Sequence, residues 1–248
     1  MKKWKLSLLT SASALVLAGS ALAADLPAKA PMAAPAIPYV NWTGGYIGVL
    51  VGAAKNNSSC GINGPGGDPG WGCDQWATFG SVQANNIGAV AGVELGYDWQ
   101  SRYFVYGVVG DWTWTSMKKT VTGGSGSTSY ETKINWLASF RGRAGLAVDN
   151  TLLYVTGGLA LGGIKDKVIF NHSTPGEGST NSVRVGWVAG AGVEHRFTPN
   201  WSAKLEYLHY AFEEKTADFA TPDLNNGTAK YRFDHNVDVV RVGAAYRF

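Results

Sequence analysis

Four histidines, His172, His195, His209 and His235, are the side chains of this 248-residue chain best suited to moving protons near neutral pH. His209 and His235 fall close in sequence to Glu213, Glu214, Asp234 and Asp238. Such a grouping is where a hydrolase would assemble a Ser/His/acid set. No serine, however, stands in a recognisable nucleophile context. The sequence also has no HExxH pair, no Walker A lysine and no dinucleotide-binding turn. The glycine-rich run 61–72 lacks the Lys-Ser/Thr and the strand-to-helix setting that phosphate binding requires. The histidines therefore read as polar rim residues. The expected sets of catalytic, cofactor-binding and metal-binding residues are empty, with no cofactor and no enzymatic activity.

The remaining chemistry-bearing residues are two cysteines and a series of charges that alternate with apolar residues. Cys60 and Cys73 are the only cysteines, too few for a disulfide-dense scaffold or a zinc module. In an exported chain they are expected to pair, closing a short loop.

Export is indicated by the N-terminus. Lys2, Lys3 and Lys5 precede the apolar run Leu6 to Leu22, which ends in Ala21-Leu22-Ala23, the pattern of a secretory signal peptide over 1–23. Its removal takes three lysines from 21 Lys plus Arg, leaving 18 against 18 Asp plus Glu. The basic balance that could have suggested nucleic acid thereby vanishes, so no nucleic-acid partner is expected. Residues 24–40, rich in Pro and Ala, read as an extended periplasmic linker. The charged fraction of 16% lies well below the roughly 25% of an ordinary soluble domain, which excludes a charge-rich disordered chain. Beyond residue 41 no stretch offers 18 uncharged apolar residues, so no transmembrane helix is expected there.

From 41 to 248 the dominant signal is period-2 alternation in eight segments, approximately 45–54, 88–99, 104–118, 133–148, 152–165, 183–197, 201–212 and 236–248. In the second, Ala89, Ala91, Val93, Leu95, Tyr97 and Trp99 share one face. Gly88, Gly92, Glu94, Gly96 and Asp98 share the other. In the fourth, the apolar face is expected to hold Ile134, Trp136, Ala138, Phe140, Ala144 and Leu146. Glycines between the charges suit a crowded lumen better than a solvated surface. Aromatic residues at strand ends, among them Trp99, Phe104, Trp114, Trp136, Trp201 and Tyr246, suit two interfacial girdles. Short connections (100–103, 149–150, 198–200) alternate with long ones (55–87, 119–132, 166–182, 213–235). The expected fold is all-β: an eight-stranded antiparallel up-and-down transmembrane β-barrel with four long extracellular loops.

Parity then places Glu94, Asp98, Asp111, Glu194 and Glu206 in the lumen with Arg141, Arg143, Arg184, Arg196, Lys204, Arg241 and Arg247. Charges inside a low-dielectric tube must be paired, and eight strands leave room only for side chains, so this set reads as an ion-pair network that fills the tube.

With these residues in view, the chain resembles a known family. ADLPAKAP after the signal, VNWTGGYIGVLVG, WLASFRGRAGLAVDNTLLYVTGGLA, VGWVAGAGVEHRFTPNWSAKLEYLHY and the ending VRVGAAYRF are similar to the small outer-membrane β-barrel proteins of alphaproteobacteria, often called outer-membrane immunogenic or porin-family proteins. The resemblance spans the mature chain. It implies a bacterial outer-membrane location and a C-terminal aromatic, here Phe248, read by the outer-membrane assembly machinery; it does not imply a catalytic activity. Cys60 and Cys73 have no place in that family pattern. Expected partners are outer-membrane lipids and lipopolysaccharide, with host or envelope components at the loops. The expected function is structural and surface-interacting, supporting envelope integrity. The alternative is a small porin, or a protein that binds and takes up a ligand such as haem.

Overall fold

Alternating apolar and polar side chains put one face of every strand against a different medium from the other, and a sheet with no free edge satisfies both. In the computed structural model, which describes residues 40–63, 69–72, 82–83, 85–122, 128–170, 176–220 and 228–248, eight long strands form such a closed sheet. They are β1 (Gly44–Asn63), β2 (Asn86–Ser101), β3 (Phe104–Thr115), β4 (Thr128–Val148), β5 (Thr151–Phe170), β6 (Gly176–Arg196), β7 (Trp201–Phe212) and β8 (Thr228–Arg247). Each pairs antiparallel with the next in sequence, and β8 closes the ring on β1, from Tyr46↔Arg247 to Asn63↔Lys230. Short strands lengthen the rim: Lys118–Thr122 pairs with β4, Lys215–Ala220 with β8, and Pro69–Gly72 and Val82–Gln83 with β1. The expected signal peptide and all of the linker except residue 40 lie outside the described residues.

Two of the three short connections are two-residue turns, Arg102-Tyr103 and Asp149-Asn150. Arg102 and Asp149 adopt the left-handed conformation, with φ of 55° and 51°, that lets a tight turn follow the twist of its strands. On the opposite side the strands run much further than alternation of the apolar-out kind predicts. β1 continues from Ala54 to Asn63 and β5 from Lys165 to Phe170, while β4, β6 and β8 begin at Thr128, Gly176 and Thr228 rather than at Lys133, Val183 and Asn236. The expected loops 55–87, 119–132, 166–182 and 213–235 are thus partly strand. β3, in contrast, stops at Thr115, short of Lys118.

The reason is an inversion of polarity along the strands. On the turn side the outer face is apolar, with Ile47, Val49, Val51, Leu95, Phe140, Val155, Leu159 and Trp187 all about half exposed or more. Past that band the outer face becomes Lys55, Asn57, Lys133, Lys165, Ser179 and Asn181. The inner face becomes Cys60, Tyr130, Val168, Tyr231 and Phe233, which pack together. A 20-residue strand is about 65 Å long at ~3.3 Å per residue and stands about 50 Å tall at a tilt of roughly 40°, against an apolar band of about 25 Å. The upper half of the barrel therefore obeys the rule of a soluble sheet, apolar inside and polar outside.

One face assignment also changes. Residue Asn135 is a bulge: Ile134 pairs with Ile164 and Trp136 with Gly163. The extra residue turns Ile134 into the lumen, fully buried, while Trp136 stays outside.

Candidate functional site

Among the described residues the buried polar side chains concentrate in the interior of the barrel, and β8 reads as a cross-section of it. From the turn side its inward residues are Arg247, Ala245, Gly243, Arg241, Val239, Val237, His235, Phe233 and Tyr231. Charged, apolar, polar and aromatic layers follow one another across the tube.

The first charged layer is built around Arg143. Its guanidinium donates to Asp98, with Nε to Oδ1 at 2.7 Å, and Nη1 to Glu194 at 2.9 Å. Arg247 bridges the same two acids at 2.8 and 3.1 Å, and Ser202 donates to Glu194 at 2.7 Å. Tyr46 and Tyr154 hold Arg143 between them, their ring centres 4.8 and 5.1 Å from its Cζ. Those rings fit because the neighbouring strands carry Gly96 and Gly192, where an added Cβ would collide with Tyr46 and Tyr154. On the turn side of this layer Trp42, fully buried just ahead of β1, packs with Val105, Ala147 and Leu152 and lies under Arg247.

In the second layer Arg141 donates to Asp111 at 2.8 Å and to Glu206 at 3.0 Å, and Arg241 joins the same two acids at 3.2 and 2.7 Å. Ser139 donates to Asp111 at 2.6 Å and Tyr154 to Glu206 at 3.1 Å. Lys204 is paired with Glu94. Above lies an apolar layer that includes Leu137, Ile164, Leu208, Phe212 and Val239. A third polar layer follows. Asp166 accepts from Arg184 at 2.7 Å, from Tyr130 at 2.9 Å and from His235 Nε2 at 3.1 Å, and His235 Nδ1 lies 2.6 Å from Ser58 Oγ. The aromatic layer of Tyr130, Tyr231 and Phe233 closes the described part of the tube, with stacked rings 5.8 and 6.4 Å apart.

Eleven of the twelve charged residues expected in the lumen are there and buried. Arg196 is not part of the network. It sits half-buried at the turn-side rim, donating to the carbonyls of Asn41 and Pro199 and lying over Trp42. Arg184 does belong to the lumen, but its acid is Asp166, one layer removed from the others. The apparent excess of seven bases over five acids thus resolves. Glu94, Asp98, Asp111, Glu194 and Glu206 match Arg141, Arg143, Lys204, Arg241 and Arg247, and Arg184 has a sixth acid of its own. Sequence reasoning missed Asp166, Ser58, Tyr46 and Tyr154. Counting parity past Ile164 would have found Asp166, because Ala160, Gly162, Ile164, Asp166 and Val168 all fall on the inner face of β5.

The expected rim pair of histidines separates. His209 is on the outer face, 2.8 Å from Asp238, which also accepts from Tyr207 at 2.7 Å. His235 is inside and inaccessible. Ser58, His235 and Asp166 form a hydrogen-bonded Ser/His/acid chain, but the three are at most 1% exposed. Asn56 shares the serine hydroxyl at 2.7 Å, and Arg184 and Tyr130 occupy the carboxylate. No substrate reaches this serine, and the chain serves as part of the polar layer. Cys60 is fully buried within the aromatic layer and is disulfide-bonded. Cys73, its expected partner, lies outside the described residues. The described residues contain no group of three or more His, Cys, Asp or Glu placed to hold a metal ion.

A closed antiparallel ring that is apolar outside and carries paired charges inside is an integral β-barrel of the bacterial outer membrane. Comparison with known proteins gives the particular family: the chain belongs to the outer membrane protein beta-barrel domain family, whose pattern matches residues 11–248. It is 30% identical to the 31 kDa outer-membrane immunogenic protein of Brucella melitensis biotype 1, over 98% of this chain and 99% of that one. It is 33% identical to the 22 kDa outer membrane protein of Rhizobium leguminosarum bv. viciae, over 87% of this chain and 82% of that one. Among solved structures, the outer membrane protein OprG from Pseudomonas aeruginosa shares the fold, with a TM-score of 0.54 and 11% identity over 85% of this chain and 99% of that chain.

Proposed function

We propose that the protein is a sealed structural barrel of the outer membrane, without catalytic activity, whose body supports envelope integrity and whose far rim makes surface contacts. The observation that carries this reading is the stack of layers across the lumen. Arg141, Arg143 and Arg241 each bridge two acids from different strands, and none of the three is more than 4% exposed. A guanidinium held by two carboxylates is a cross-brace, and a solute would have to displace it to pass. The inverted upper half carries a soluble-type sheet, polar outside and apolar inside, beyond the lipid-facing band, which suits contact with partners outside the cell. Phe248, the terminal aromatic and 76% exposed, is where the assembly machinery would read the chain.

The test is deletion and complementation. Cells lacking the protein are expected to become sensitive to detergent and to leak periplasmic enzymes, and the wild-type chain is expected to restore both. Intact envelope resistance together with lost uptake of a small solute would favour the porin or uptake reading instead.

A further inference from the structure

On the outer face, the first charged residues above the apolar band of three adjacent strands are all lysines, and they stand in one row. Lys118 is directly opposite Lys133, and Lys133 is directly opposite Lys165. All three are exposed. Residues opposed in this way have Cβ atoms about 4.5–5.5 Å apart, and like charges so placed repel one another. Lys118 has an acid, Glu131 at 3.2 Å. Lys133 and Lys165 have none within ion-pair distance among the described residues, and Asn181 follows Lys165 on the next strand. Lys167, next on the same face of β5, flanks the row and is tied to Glu177 at 2.5 Å. Four lysines thus share this patch with two acids.

What lies below the row fixes its depth. Trp112 and Trp136 stack with ring centres 4.5 Å apart, and Trp136 lies across Gly163, where an added Cβ would strike its indole. Exposed Trp114 and Leu161 complete the edge of the apolar face. Stacked tryptophans mark the membrane interface, so the lysines sit at the level of the lipid headgroups, on the side of the long connections.

We propose that Lys118, Lys133 and Lys165 form a docking row for the phosphate groups of an outer-leaflet glycolipid of the lipopolysaccharide class, with its acyl chains lying along Trp112, Trp136 and Leu161. The proposal deepens the reading of the barrel as an envelope component and names one partner for its outer wall. A lipid fits better than an acidic protein because the row is continuous with the lipid-facing band. A phosphate there relieves the repulsion within the row, and its lipid supplies the apolar surface beneath.

The test uses the refolded full chain in phosphatidylcholine vesicles, titrated with fluorescent diphosphoryl lipid A. Replacing all three lysines by glutamine (K118Q, K133Q and K165Q together) is expected to weaken binding at least about tenfold, as when charge-assisted phosphate contacts are lost. Replacing all three by arginine restores it, and Lys55→Gln, outside the row, changes nothing. Dephosphorylated lipid A is expected to bind wild type no better than diphosphoryl lipid A binds the glutamine variant. Equal binding by wild type and the glutamine variant, or equal binding of the two lipids, overturns the proposal. So does displacement of the lipid by millimolar inorganic phosphate, which would make the row a site for free phosphate. Heat-dependent gel mobility is read on every sample. An intact barrel that fails to bind the lipid removes this proposal and leaves the sealed-barrel reading standing.

Discussion

Replacing Arg143 with methionine removes the brace of the first charged layer while keeping most of its volume. In the native barrel the guanidinium lies 2.7 Å from Asp98 Oδ1 and 2.9 Å from Glu194 Oε2. At an effective dielectric of about 20, two unit charges about 3 Å apart attract by roughly 5–6 kcal/mol, so the two contacts are worth roughly 11 kcal/mol before desolvation. Taking three ions out of water costs several kcal/mol each, so the assembled set is close to neutral for stability. Methionine leaves the cost of burying the acids and removes their brace, a change worth about 3–5 kcal/mol. Arg247 still reaches both acids at 2.8 and 3.1 Å, which places the expected loss near the lower end, about 3 kcal/mol. Adding Asp98→Asn to Arg143→Met should recover part of this, with a coupling of about 1–2 kcal/mol between the sites. The assay is denaturant unfolding in lipid vesicles, followed by tryptophan fluorescence and by gel mobility with and without heating. A loss below about 1 kcal/mol for Arg143→Met, or strictly additive single and double variants, would refute the argument that the acids depend on this brace.

Three further outcomes follow from the same structure. Leu95→Arg, in the apolar outer band, should cost about 2–4 kcal/mol in bilayers, whereas Asn181→Arg, outside and above the band, should cost less than about 1 kcal/mol; equal costs in vesicle unfolding would contradict the polarity inversion. Gly96→Ala should destabilise by about 1–3 kcal/mol because the new methyl group meets the Tyr46 ring, and Tyr46→Phe should not relieve it, as the same denaturation assay can show. The Asp166 carboxyl is pushed up by burial, but His235, Arg184 and Tyr130 outweigh that and hold it below the ordinary carboxylate range. A depressed folded-state value means that the stability it contributes is present at neutral pH and is lost as pH falls through that value. Hydrogen exchange at Phe233 and Tyr130 should therefore speed up, beyond its intrinsic pH dependence, only below the usual carboxylate range, and Asp166→Asn should abolish the change.

The sequence carried the membrane-spanning half of the barrel and little of the rest, for a physical reason. Where lipid is outside, alternation has a clear sense, and Val93, Leu95 and Tyr97 against Glu94, Gly96 and Asp98 left no ambiguity about either face. Above the band the outer medium becomes water and the sense reverses, so Ser58, Cys60, Asp166 and His235 sat in stretches that looked like loop. The bulge at Asn135 cannot be read from alternation, because one inserted residue exchanges the faces of everything beyond it; Ile134 was placed outside for that reason. The lumen charges were legible as a set but not as pairs. Which acid meets Arg143 depends on the stagger between strands and on where Tyr46 and Tyr154 find glycines opposite, and neither follows from one strand alone. Arg196 shares the parity of the lumen residues yet lies at the end of β6, where backbone carbonyls of the turn compete for its guanidinium.

The central claim is that stacked side chains seal this tube, and single-channel recording of the refolded monomer in planar bilayers tests it most directly. Wild type is expected to give at most small, infrequent current steps, because paired arginines and the apolar layer above them leave no continuous column of water. Truncating Arg141 and Arg143 together to alanine should raise conductance and lower stability in the same samples. Large, steady channels from the wild-type monomer would contradict the account and return the protein to the porins.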